Sequence, residues 1–167
     1  AYSGGICLIQ GTFYFFDEVT GEPLLMMGKG PRGINEYTGT GFLVRADGLI
    51  LTNRHIAEPW WEMEMSPYIH IEPTIKPCFE VFRAFFPGIK EPFALKVEKI
   101  SDDVDVALLR IDVRGATMPV LELDITGKGT VVGEPIILLG YPAGVNAIFA
   151  KTDPGVVKQL FNLPFIP

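Results

Sequence analysis

The stretch LILTNRHIAEPWW, residues 49–61, places one of the chain's two histidines at the end of an apolar, strand-like run. An imidazole there can serve as a general base, because histidine titrates near neutrality and can take a proton from a hydroxyl or a thiol. Taken alone, His55 decides nothing, since a histidine at a strand end is more often structural than catalytic. The other histidine, His70, lies between Ile69 and Ile71 and reads as a partly exposed strand or loop residue. A Pro-rich stretch separates the two, and no cysteine or carboxylate stands near them at ligand spacing, so no metal site is expected. No cofactor is expected either. The Gly-rich segment GKGPRGINEYTGTG, residues 28–41, reads as a loop that cradles no phosphate, because no Lys-Ser/Thr pair closes it and no helix follows.

Composition bounds the elements that must position such a histidine. The 167 residues are enough for one domain or for one half of a larger one, and 48% hydrophobic residues with 11% aromatics build a core. Eighteen glycines and fourteen prolines among many short apolar runs favour short strands joined by turns, an all-β architecture. The mean hydropathy of +0.28 is high for a soluble domain and points to a face that another domain covers. A formal charge of −6, with the basic residues scattered singly, argues against a nucleic-acid surface. No uncharged run reaches the ~20 residues of a membrane span; the longest, Pro135 to Ala150, is interrupted by Gly140, Pro142 and Gly144. The first residues lack a basic leader region, so any signal peptide is expected to have been removed or never to have existed. Two cysteines, Cys7 and Cys78, either pair or stay free, and they do not fix a redox compartment.

Period and punctuation place a strand over Ile9 to Asp17, a turn at Thr20-Gly21-Glu22-Pro23, and a further apolar run, LLMM. Phe42 to Arg45 and Leu49 to Thr52 form a hairpin through Ala46-Asp47-Gly48, where Asp-Gly is a strong turn pair. An irregular stretch with prolines at 59, 67, 73 and 77 follows His55. Strands resume at Cys78 to Phe86, a Pro87-Gly88 turn, PFALKVEKI, DVDVALLRIDV, VLEL and EPIILLGYP. Asp153-Pro154-Gly155 opens the only convincing helix. Seven or eight short strands give a closed or nearly closed antiparallel β-barrel.

Three motifs in order then give His55 its company: Gly39-Thr40-Gly41-Phe42 leading to Thr52-Asn53-Arg54-His55, Asp105-Val106-Ala107-Leu108-Leu109-Arg110, and Gly140-Tyr141-Pro142-Ala143-Gly144. Together they resemble the trypsin-like serine peptidases, within them the bacterial HtrA/Deg-type branch, and they touch most of the chain from about residue 9 to 145. The resemblance implies the first of two β-barrels, with His55 as general base and Asp105 as the acid that fixes its tautomer. Asp102 and Asp103 are rivals for that acid, but only Asp105 begins the apolar strand; the other two read as a solvated turn. Ile56 sits where the animal enzymes usually carry a bridged cysteine, which fits the disulfide-poor branch. By analogy alone, that branch points to an extracytoplasmic setting, periplasmic or secreted.

The family places its nucleophile in Gly-x-Ser-Gly, and none of Ser3, Ser66 and Ser101 stands in that setting. Ser3-Gly4-Gly5 resembles the tail of such an element but lies before the first strand and reads as an N-terminal extension or cloning remnant. Neither Cys7 nor Cys78 has a Gly-x-Cys-Gly setting. The expected organisation is therefore an N-terminal barrel over residues 1–134 and, over 135–167, a connection with the start of a truncated second barrel. The expected partners are a polypeptide substrate and the missing second barrel in cis. The rival reading is a non-catalytic binding or scaffolding module on the same fold. A second rival makes the nucleophile cysteine. Trp60-Trp61 and the following Glu62, Met63, Glu64 and Met65 form either a substrate-contacting lip or a lid packed on the barrel, the second being favoured.

Overall fold

The computed structural model describes residues 2–30, 33–64, 71–129 and 131–141. Seven strands form one antiparallel sheet: β1 (Ile6–Asp17), β2 (Asn35–Arg45), β3 (Leu49–Thr52), β4 (Ile75–Phe85), β5 (Phe93–Ala94), β6 (Lys96–Ile100) and β7 (Ala107–Arg110). Their order is β5-β4-β1-β2-β3-β7-β6. The two outermost strands are consecutive in sequence and are separated by Leu95 alone, so the sheet must curl until its edges approach. The result is an all-β half-barrel, the architecture expected from the short strands and frequent turns.

Period 2 decides which side chains face inward. Along β1, Cys7, Ile9, Phe13 and Phe15 are buried on one face. Cys7 and Ile9 join Leu43, Ile50, Ala84, Phe93, Ala107 and Leu109 from the other strands in one core cluster, and Phe86, Leu95, Ile111 and Met118 close it from the loops.

The Gly-rich segment differs from its sequence reading, for β2 begins at Asn35 and runs through Gly39 and Gly41. These glycines are there because bulky neighbours occupy the space a side chain would need. Gly41 pairs with Cys7, and a Cβ on it would lie 2.7 Å from Ile50 Cγ2 and 2.9 Å from Ile9 Cδ1. On β1 the roles reverse, with Gly11 lying under the ring of Tyr37.

Other boundaries move for equally local reasons. β1 starts at Ile6, and β4 starts at Ile75 and takes in Pro77. Pro77 is tolerated because β5 pairs only with Arg83 and Ala84, leaving that side of β4 open where proline lacks a donor. PFALKVEKI breaks into β5 and β6 at Leu95, whose N–H turns back to the Phe82 carbonyl (2.9 Å). Two expected strands are absent. VLEL, residues 120–123, makes a single ladder-like bond, Leu121 N–H to the Leu43 carbonyl (2.8 Å), just beyond the last β1–β2 pair, Ile6 with Phe42. Residues 134–141 form no strand and leave Ile136, Ile137 and Leu138 exposed. The hairpin through Asp47-Gly48 is as expected, with Gly48 at φ 96°, and Pro87-Gly88 is a turn with Gly88 at φ 77°. The expected helix at Asp153, the remainder of the Gly140–Gly144 turn from Pro142 onward, and His70 and Ser66 lie outside the described residues.

Candidate active site

Strand register brings the two expected site residues to one place. Thr52, the last residue of β3, pairs with Ala107, the first of β7. The strands are antiparallel, so the chain leaving β3 and the chain entering β7 share one end of the sheet. A short helix, α1 (Arg54–Ala57), begins there, where the sequence suggested only an irregular stretch, and a second, α2 (Trp61–Glu64), follows. Asp105 lies in the bend before β7 rather than on the strand itself.

One carboxylate then makes two different contacts with one residue. Asp105 Oδ1 accepts the backbone N–H of His55 (3.0 Å), and Oδ2 lies 2.7 Å from His55 Nδ1. The first contact caps the N-terminus of α1, a task that Asn53 at the capping position does not perform with its own side chain. The second fixes the ring. Nδ1 facing a carboxylate carries the proton, which leaves Nε2 as the basic nitrogen. The side chains are 40% and 38% exposed, and Nε2 has no hydrogen-bond partner among the described residues. Asp102 and Asp103 are exposed in the same bend.

Burial by itself would raise the Asp105 carboxyl, but the His55 N–H, its ring and the Asn53 amide together hold it below the usual carboxylate range. For a lowered value the sign follows directly. The stabilisation is fully present above the unfolded value of ~3.9 and is lost as pH falls through the folded one. Asp105 is therefore charged throughout the range in which an imidazole titrates.

Neighbouring contacts hold α1 in place. Tyr37 donates its hydroxyl proton to the Ile56 carbonyl (2.8 Å), and Gly39 leaves room for the Ile56 side chain, since a Cβ there would sit 2.5 Å from Ile56 Cδ1. Arg54 donates from Nε to Glu58 Oε2 (2.9 Å) and from its terminal nitrogen to the Ser101 carbonyl (3.0 Å), and its guanidinium lies 4.6 Å over the Trp61 ring. Trp60 packs edge-on against Phe13 (5.6 Å) and tilted against Phe79 (5.1 Å). Trp60 thus packs down on the barrel, while Trp61 lies under the Arg54 guanidinium. Beside Asp105 an open cleft of about 480 Å³ is lined by Thr40, Phe42, Asn53, Leu139 and Tyr141 among others. Thr40 anchors its wall, accepting the Tyr141 N–H at Oγ1 (2.7 Å) and the Thr52 hydroxyl at its carbonyl (2.8 Å).

None of the candidate nucleophiles within the described residues is hydrogen-bonded to His55. Ser101 Oγ accepts the N–H groups of Asp103 (3.4 Å) and Val104 (3.3 Å), so it shapes the bend that carries Asp105. Ser3 is exposed in a 3-10 turn, Tyr2–Gly5, whose Gly5 lies against the Pro119 backbone. Cys7 and Cys78 are free thiols. Cys7 is fully buried, and burial pushes its thiol up to about 12. At pH ~8.5, where an ordinary thiol is half ionised, iodoacetamide is expected to modify Cys78 in the folded chain well before Cys7. Mass mapping of the alkylated peptides checks this, and equal rates at the two sites would contradict it. No group of three potential metal ligands occurs among the described residues, and no helix there is long and apolar enough to cross a membrane.

Sequence reasoning quoted Asn53 and Arg54 within the histidine motif without giving either a role, and it missed Tyr37. Asn53, Tyr37 and the Arg54 contact to Ser101 act across distances in sequence that leave no periodic signal, whereas Arg54–Glu58 is a local i,i+4 pair.

A curled antiparallel half-barrel with a histidine leaving one strand and an aspartate entering its neighbour defines the class of β-barrel peptidase folds. Residues 39–164, more than half of the chain, match the trypsin-like peptidase domain, and the chain belongs to that family. No curated protein matches it.

Proposed function

We propose that this chain carries the base and the orienting acid of a serine endopeptidase. His55 Nε2 takes the proton of a serine hydroxyl as that oxygen attacks the substrate's carbonyl carbon. Asp105 holds the Nδ1 proton and stabilises the imidazolium, which then protonates the leaving amine as the peptide bond breaks. Water hydrolyses the resulting acyl-enzyme by the same route in reverse. The substrate is a polypeptide.

The observation that carries this reading is the double engagement of His55 by Asp105, ring and backbone together, at the end of the sheet in a trypsin-like peptidase domain. Because no serine of the 167 residues stands in Gly-x-Ser-Gly, the nucleophile belongs to a segment outside them, on a second barrel. Residues 1–134 then form the first barrel and 135–167 lead into the second. The exposed run Ile136 to Leu138 is consistent with such a continuation. Ile56, buried against Gly39 where a bridged cysteine stands in animal enzymes, favours the HtrA/Deg-type branch. The burial of Cys7 weighs against a cysteine nucleophile.

The test is hydrolysis of an unfolded protein substrate by the product of the complete reading frame. Cleavage that disappears in His55→Ala supports the peptidase; a folded but inert protein supports a binding module.

A further inference from the structure

Asn53 occupies the capping position of α1 with extended backbone (φ −75°, ψ 151°), where an asparagine side chain ordinarily accepts a helix N–H. Here the carboxylate of Asp105 has taken that N–H, and the Asn53 amide is turned outward. Its Nδ2 donates to two atoms of Asp105 at once, the backbone carbonyl (3.1 Å) and Oδ2 (3.1 Å). Oδ2 is also the oxygen that holds the His55 ring. The two residues have exchanged roles: the aspartate caps the helix of the asparagine, and the asparagine grips the aspartate.

The carboxylate needs such a grip. It is more than a third exposed, so water competes for both oxygens, and rotation about its terminal torsion would carry Oδ2 off the imidazole. The His55 N–H fixes one oxygen only. A donor mounted on the rigid start of α1, reaching both the main chain and the second oxygen, removes that rotation. We propose that Asn53 is a positioning residue for the His55–Asp105 pair, holding Oδ2 on Nδ1 so that Nε2 remains the basic nitrogen. The inference rests on the reading of that pair as base and acid. The other charged groups around it are Arg54, engaged with Ser101 and Glu58, and the exposed Asp102 and Asp103.

Two effects compete when the amide is removed. A carboxylate that has lost a donor is more basic, which would raise the imidazole's titration midpoint; a carboxylate that swings into water no longer supports the imidazolium, which would lower it. Positioning predicts the second. The experiment is NMR titration of the His55 ring nitrogens in the full-length protein, assigned with His55→Gln, for wild type, Asn53→Ala and Asn53→Ser, with Asp105→Asn as the floor. Asn53→Ala is expected to shift the midpoint down toward that floor and to speed exchange of the Nδ1 proton, with the amide spectrum elsewhere unchanged. Asn53→Ser, which keeps a donor, should recover part of the shift, and it carries the test if Asn53→Ala does not fold. In the active enzyme, kcat should fall about tenfold in Asn53→Ala with KM unchanged, the scale of a modest misplacement. An unchanged or raised midpoint would overturn the inference. The ring titration needs no turnover, so absence of peptidase activity would defeat the proposed function while leaving the positioning role to be decided by the midpoint.

Discussion

Asp105→Asn in the full-length protein is expected to lower kcat/KM about 10⁴-fold with the fold intact. The asparagine oxygen can still accept the His55 N–H and cap α1. Its NH₂ group then faces Nδ1, and a donor in that position stabilises the tautomer with the proton on Nε2, which cannot accept one from a nucleophile. A 10⁴-fold loss corresponds to about 5 kcal/mol of transition-state stabilisation. The folded state loses far less: weakening a helix cap costs about 1 kcal/mol. Steady-state kinetics and a thermal melt on the same samples separate the two. A variant keeping more than a tenth of wild-type activity would contradict the role assigned to Asp105, and one that melts near room temperature would show that the carboxylate is needed chiefly for folding.

The second large effect is on stability. Gly48 closes the β2–β3 hairpin at φ 96°, and a Cβ there would lie 2.3 Å from the carbonyl oxygen of Ile111, directly after β7. The Gly48 carbonyl also accepts the Ile111 N–H at 3.0 Å. Gly48→Val therefore forces a branched residue into a left-handed conformation and drives it into backbone that cannot yield without parting β3 from β7. The expected loss is about 4 kcal/mol or more, a large share of a domain's whole stability. Gly21, at φ 74° with nothing within 4 Å, supplies the comparison. Gly21→Ala meets only the backbone preference and should cost about 1 kcal/mol. Chemical denaturation of the two variants checks the ranking, and a Gly48→Val protein as stable as Gly21→Ala would show that the close approach to Ile111 does not constrain the hairpin.

What was legible in the sequence follows from how each signal is carried. His55 and Asp105 stand in short motifs next to apolar runs, and it was the resemblance of those motifs, in their order, to the trypsin-like serine peptidases that singled them out; register across β3 and β7 explains why residues 50 positions apart meet. The alternation of β1 and the Asp47-Gly48 hairpin were equally plain, because period and turn chemistry are local. Gly39 and Gly41 misled for a physical reason: glycine reads as a break when only its own conformational freedom is considered, whereas here it makes room for Ile56, Ile50 and Ile9. VLEL and residues 134–141 have strand composition but no ladder of partner bonds among the described residues, and β composition without pairing makes no strand. Asn53 stood in the quoted motif, but its hold on Asp105 was invisible because its partner lies 52 residues away.

The central claim is that His55, oriented by Asp105, activates a serine. Its most direct measurement is fluorophosphonate labelling of the protein expressed from the complete reading frame, beside His55→Ala, with the labelled residue located by mass spectrometry. The account predicts one labelled serine, in a Gly-x-Ser-Gly setting outside these 167 residues, and loss of the label in the variant. A folded protein that takes no label, or a label that persists without His55, would contradict it.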